Sequence, residues 1–204
     1  MVKETYIELL KKYSNNGHLI DGLWNEIEIN YSHKKRYYHN LDHLSNLLIQ
    51  LAKVKSEIIN PDIVLFSLYY HDVFYDQLRS DNEEQSAEFA ATRMTQISIP
   101  SLIIRNCQAQ ILATKKHQEN SDTDTNYFTD ADLAVLGQNW EDYSVYFKNV
   151  RKEYAVYPKL IYNAGRKKVL NHFLETERIF KTDYFYSEFE QQAKQNIRRE
   201  SELL

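Results

Sequence analysis

The run Ile63-Val64-Leu65-Phe66-Ser67-Leu68-Tyr69-Tyr70 constrains this chain more than any other stretch. It is apolar almost all round, follows Asn60-Pro61 and stops at His71-Asp72. Asparagine can cap a helix and proline is tolerated in a first turn, so the spacing predicts a helix opening at Asn60. A helix without a polar face has to be covered on every side, which makes this one central. Its C-terminal end then carries an imidazole and a carboxylate inward. Buried polar groups are costly without partners, and one cation satisfies both. A carboxylate at a helix C-terminus also opposes the macrodipole unless something positive is near. Taken alone, the dipeptide fits a hydrogen-bonded core histidine and a helix-end aspartate better than it fits a site.

The remaining chain also reads as helix. Four glycines and three prolines in 204 residues are too few for the many turns of an all-β fold. The hydrophobic share, 43 %, is enough to build one core from a chain of this size. Tyr6, Leu9, Leu10 and Tyr13 recur at helical spacing until Asn15-Asn16-Gly17 stops them. A second helix is predicted from near Tyr38 to Lys55, with Leu41, Leu44, Leu47, Leu48 and Leu51 on one side. Ser80 to Glu84 reads as a loop leading into an acidic helix start that continues through Met94, and Ile99-Pro100-Ser101 opens a helix to Thr114. His117 to Asn126 is polar and loop-like. Thr129 to Gly137 is a short helix with Gly137 as its C-cap. Asp142–Tyr154 and Lys159–Leu174 are amphipathic, and Ser187–Leu204 reads as a polar surface helix, frayed at its end. No linker separates two cores, so the expectation is a single all-α domain over residues 1–204.

Charge and cysteine content narrow the function classes. The net charge is −4 and no block of like charge stands out, so a general nucleic-acid surface is not expected. The single Cys107 excludes an internal disulfide framework and a cysteine-rich zinc site. The first residues lack the apolar run of a secretory signal, and no stretch approaches the roughly 18 apolar residues of a membrane span, so a cytoplasmic protein is expected.

Three segments hold the chemistry. Arg36-Tyr37-Tyr38-His39-Asn40-Leu41-Asp42-His43 precedes His71-Asp72-Val73-Phe74-Tyr75-Asp76, and Thr129-Asp130-Ala131-Asp132 follows. Imidazoles with carboxylates form a mixed nitrogen and oxygen set suited to a divalent first-row metal, which can activate water against a phosphate ester. His39 and His43 stand at i and i+4 and could chelate one ion, or one could bind while the other packs. One of Asp130 and Asp132 is expected to cap the short helix, in competition with Thr129, leaving the other to project inward. His117, after two lysines, is a solvated loop residue or faces the site.

The order His39, His71-Asp72, Asp132 resembles the HD superfamily of metal-dependent phosphohydrolases. The text around it resembles one bacterial subgroup, described as predicted HD-superfamily phosphohydrolases. The likeness continues through Asp81-Asn82-Glu83-Glu84-Gln85-Ser86-Ala87, Asp130-Ala131-Asp132-Leu133-Ala134-Val135-Leu136-Gly137, Val150-Arg151-Lys152-Glu153-Tyr154, Gly165-Arg166 and Phe173-Leu174. It spans roughly residues 20 to 182.

The resemblance implies an all-α bundle of HD type with His39, His71, Asp72 and Asp132 holding one divalent ion: Mn, Fe, Co, Ni, Zn or Mg. His43 and His117 are further site candidates. Some HD branches hold a second metal, but this chain offers no clear sixth ligand. Nor does it carry the extended motifs of the cyclic-dinucleotide branch. Some relatives use a Glu shortly after the dipeptide. Here the nearest acid is Asp76, and Asp76, Glu83 and Glu84 are the candidates for orienting water or protonating a leaving group. Arg36 and Lys115 are candidates to clamp phosphate. The function implied is hydrolysis of a small phosphate ester or nucleotide. The rival is a non-catalytic metal- or nucleotide-binding protein on the same scaffold, since fold does not fix function. Each helper also has a plainer role: Glu83 and Glu84 as charges at a helix start, Arg36 and Lys115 as surface residues, Arg151 and Arg166 in structural pairs.

Overall fold

The computed structural model describes all 204 residues, and every regular element in it is helical. In chain order these are α1 (Val2–Lys11), α2 (Gly17–Tyr31), α3 (Leu41–Lys53), α4 (Pro61–Tyr70), α5 (Asn82–Gln96), α6 (Ser101–Ala113) and α7 (Thr123–Leu133). A short 3-10 turn (Ala134–Gly137), α8 (Trp140–Glu153), α9 (Lys159–Glu175) and α10 (Asp183–Leu203) follow. The all-α class is as expected. No helix is long and apolar enough to cross a membrane. The chain divides into two compact units, residues 1–129 and 130–204, and the division falls inside the continuous helix α7, not in a linker.

In the first unit α4 is the hub. Seven of its ten residues are buried, including Ser67, whose hydroxyl donates back to the Ile63 carbonyl and across to Gln110 Oε1. α1, α3, α5 and α6 all pack against it. Tyr6 of α1 meets Tyr70 hydroxyl to hydroxyl at 2.6 Å and lies edge-on to Tyr69. These pairings let bulky rings fill the interior without stranding a polar tip. Asn60 occupies the N-cap of α4, but its side chain does not cap. Asp124, buried on α7, accepts from the backbone N–H groups of Ile59 (2.8 Å) and Asn60 (2.7 Å) instead.

α2 departs from the sequence reading. Asn16, taken with Asn15 and Gly17 as a stop, is the N-cap of a new helix: its side chain accepts from Leu19 N. Ile20, Leu23, Trp24, Ile27 and Tyr31 then line one buried face. α3 starts at Leu41, capped by the Asn40 side chain, so His39 lies before the helix rather than on it.

In the second unit α10 packs on the 3-10 turn and on α9. It is not the surface helix the composition suggests. Phe185, Phe189, Ala193 and Ile197, spaced by four, are buried along it. Gly137 ends the 3-10 turn against Phe189, where a Cβ would come within 2.6 Å of the Phe189 carbonyl oxygen. That contact explains the glycine better than a capping role. The buried Glu190 accepts from the N–H groups of Ile179 and Phe180, which ties the segment before α10 to the helix itself. α7 begins at Thr123, so the loop after α6 is shorter than expected. Asp130 and Asp132 sit late in that helix, and neither caps its start.

Candidate metal centre

α4 ends at Tyr70 because the chain turns: His71 N still donates to the Ser67 carbonyl at 2.9 Å, and Val73 N reaches the Tyr70 carbonyl at 3.2 Å. His71 is therefore fixed at the edge of the core, 1 % exposed. Its Nδ1 lies 2.9 Å from the Leu68 carbonyl oxygen. A carbonyl can only accept, so the proton sits on Nδ1, and in the neutral ring Nε2 carries a bare lone pair. A backbone carbonyl orienting the far nitrogen is how metal-binding imidazoles are commonly held.

His43 and Asp72 of the first unit meet that lone pair, and His39 approaches Asp72. His43 Nε2 stands 3.1 Å from His71 Nε2. Asp72 Oδ2 stands 3.2 Å from His71 Nε2, 3.8 Å from His43 Nε2 and 3.9 Å from His39 Nε2. Around an ion held at about 2.0–2.2 Å, neighbouring ligand atoms are roughly 2.8–3.6 Å apart. Two of these separations fall in that range, and the other two need only a small inward shift. Burial pushes the Asp72 carboxyl up, but the imidazoles of His71, His39 and His43 outweigh it and hold the group well below the usual carboxylate range.

His43 owes its place to the first turn of α3, where it is buried. The Tyr38 ring lies 4.9 Å from the His39 ring and 5.0 Å from the His43 ring. α7 packs Phe128 edge-on to His71 at 5.7 Å. Asp132 follows Phe128 by four residues, hence on the same face of that helix. Within the first unit, the buried His43 and His71 offer ligand nitrogens to a group that could hold a metal ion. Asp130 points elsewhere: its carboxylate accepts from Lys181 N (3.0 Å), Thr182 N (2.7 Å) and Thr182 Oγ1 (2.7 Å).

Comparison with family models, with curated proteins and with solved structures gives no match.

The helper candidates are arranged differently from the sequence expectation. α4 does not run on to Asp76. That residue sits in an exposed turn, where its carboxylate accepts from Leu78 N at 2.9 Å and its carbonyl from Asn82 Nδ2 at 2.9 Å. Lys115 Nζ donates to the Ser80 carbonyl (2.6 Å) and Glu84 (2.5 Å), with Glu83 at 3.6 Å. Arg36 is not a solvated surface residue: its guanidinium donates to the carbonyls of His39 (3.1 Å), Asp72 (2.6 Å) and Val73 (2.8 Å). His117 is half-buried four residues past α6, with φ of 50° in the left-handed region. Two residues were not anticipated. Tyr75 stacks on the His39 ring at 4.0 Å, and the Tyr31 hydroxyl accepts from Asp72 N at 3.2 Å. Only the crowding of tyrosines about both histidine motifs hinted at them.

Proposed function

We propose that this protein is a metal-dependent phosphohydrolase acting on a small phosphate ester or nucleotide. The observation that supports it best is the oriented His71: a buried imidazole whose proton is committed to the Leu68 carbonyl, with its lone pair turned toward His43 and Asp72. His39, His71, Asp72 and Asp132 are the proposed ligands, and His43 joins them on its distances to His71 and Asp72. The donor set, imidazoles with carboxylates and no thiolate, suits one divalent ion of the Mn-to-Zn series or Mg. When bound, such an ion lowers the pKa of a coordinated water and polarises a phosphoryl oxygen.

The chain's own residues do the rest. Asp72 Oδ2 sits among the Nε2 atoms of three imidazoles, 3.2 Å from His71, 3.8 Å from His43 and 3.9 Å from His39. Among the acids, Asp76 is engaged with a backbone N–H and Glu84 pairs with Lys115 at 2.5 Å; Glu83, 3.6 Å from the same lysine, is the most loosely held of the three and is our candidate to move a proton. Lys115, whose ammonium is now shared between the Ser80 carbonyl and Glu84, is the remaining candidate for a phosphate oxygen, as a point charge.

The test is a screen of the protein loaded in turn with each of these ions against phosphomonoesters, nucleotides and cyclic phosphodiesters. Release of phosphate or cleaved diester that depends on the ion, and is lost in His71→Ala, is expected. Tight metal binding without turnover on any class would leave the non-catalytic binding protein as the function.

A further inference from the structure

We infer that Arg36 is a positioning residue for the metal centre: its guanidinium ties the turn that carries His39 to the turn that carries Asp72. This rests on reading the His/Asp cluster as a metal site, and it replaces the role of phosphate clamp that the sequence suggested for Arg36.

The bonds argue for it first. Nη1 donates to the carbonyls of both His39 and Asp72, and Nη2 donates to that of Val73. Both hydrogens of Nη1 are thereby engaged, so the paired Nη1/Nη2 fork that grips a phosphate is not on offer. The three carbonyls belong to non-helical segments, outside α3 and α4, where no helix ladder satisfies them.

The ring contacts argue the same way. The guanidinium lies 4.8 Å from the Tyr31 ring and 5.7 Å from the Tyr75 ring. Tyr75 in turn stacks on the His39 imidazole, and the Tyr31 hydroxyl accepts from Asp72 N. Arg36 thus reaches each of these two ligands twice, once through a carbonyl and once through an aromatic ring.

The geometry of the cluster shows why such a tie is needed. His43 is held by a helix turn and His71 by a helix end, and their nitrogens approach to 3.1 Å. His39 lies on no helix, and its separation from Asp72 Oδ2, 3.9 Å, is the widest of the four. A planar, permanently charged fork is suited to holding that gap. A lysine, with one rotatable ammonium, cannot reach three carbonyls in two directions and stack as well.

The experiment compares wild type, Arg36→Lys, Arg36→Ala and the ligand control His71→Ala in the full chain. Mn2+ affinity is measured by calorimetric titration, and backbone hydrogen exchange is measured on the metal-free proteins. Arg36→Lys is expected to weaken Mn2+ binding about 10- to 100-fold, the range for residues that orient ligands. Exchange should rise in residues 37–41 and 71–76 and stay unchanged in α1, α2 and α6. Free guanidinium should recover part of the affinity lost in Arg36→Ala. An Arg36→Lys protein that binds Mn2+ within twofold of wild type would overturn the inference. So would exchange raised evenly through residues 1–129, the mark of a merely structural residue. Wild type that takes up no ion defeats the metal reading itself, and this inference with it, without recourse to any variant.

Discussion

Two clusters of ionisable side chains in this protein are built in opposite ways. In the first unit, three imidazoles surround one oxygen of Asp72, and every group there is one that a cation can ligate. In the second unit, Arg166 lies against Glu200 with both side chains nearly inaccessible, 9 % and 1 % exposed. The guanidinium donates through Nε (2.8 Å) and Nη2 (2.9 Å) to the two carboxylate oxygens, and the Tyr143 hydroxyl donates to the same carboxylate. Burial lowers the Arg166 pKa, but Tyr146 and Glu200 outweigh it, so the net direction is up and the charge is kept. The second cluster brings its own cation in the sequence. The first is the one that we propose a metal ion completes. A carboxylate drawn into the protein therefore suggests a cation site only when no Arg or Lys of the chain is already paired with it.

The largest effect should come from breaking the closed cluster. Glu200→Ala leaves Arg166 buried and unpaired and should cost about 3–5 kcal/mol in urea unfolding, while the double replacement Arg166→Met/Glu200→Leu should be close to neutral. A single variant as stable as wild type would erase the distinction between the two clusters.

Asp72→Ala should act on the open cluster and spare the fold. Metal affinity should fall more than about 100-fold, or about 2.8 kcal/mol, whereas the metal-free protein should lose less than about 1 kcal/mol. Metal analysis with thermal melting, with and without chelator, separates the two quantities. If turnover is found, Glu83→Gln should lower it by about 10²-fold at full metal content, and Asp76→Asn should do little.

The smallest effect at neutral pH, and a common one in both units, is alkaline. Burial raises Tyr6, Tyr70 and Tyr143, and pushes Tyr13 and Tyr162 up to about 12. Raised acids contribute stability that is fully present below their ordinary value near 10 and lost as pH climbs through the folded values. Phenolate absorbance and helical circular dichroism should therefore change together above about pH 10. Phenolate forming well below the loss of helix would show the rings to be accessible.

What the sequence carried depended on whether the partner was local. The apolar run through Tyr70 could be read at once, because periodicity and burial are properties of the run itself. So could His71-Asp72 at its end. α2 was hidden although Ile20, Leu23, Trp24 and Ile27 have the same spacing, because asparagine both ends helices and starts them, and Asn16 does the second. α10 hides its buried face for a different reason. Glu190 and Glu200 count as surface residues until their partners, the N–H groups of residues 179 and 180 and the Arg166 fork, are known. His43 and Arg36 are the corresponding cases at the site. Spacing allowed His43 as ligand or filler, and nothing local says that Arg36 faces carbonyls 36 and 37 residues away.

The bond from His71 to the Leu68 carbonyl also gives the protein a built-in reporter. Imidazole N–H protons on a surface trade with water too fast to be seen by magnetic resonance. This one is shielded at the end of α4 on a ring 1 % exposed, so it should persist as a single resolved signal far downfield. The electrons of the ring link it to Nε2 on the other side. Whatever settles on that nitrogen, be it a proton or an ion, will be announced by the frequency of a hydrogen that never touches it.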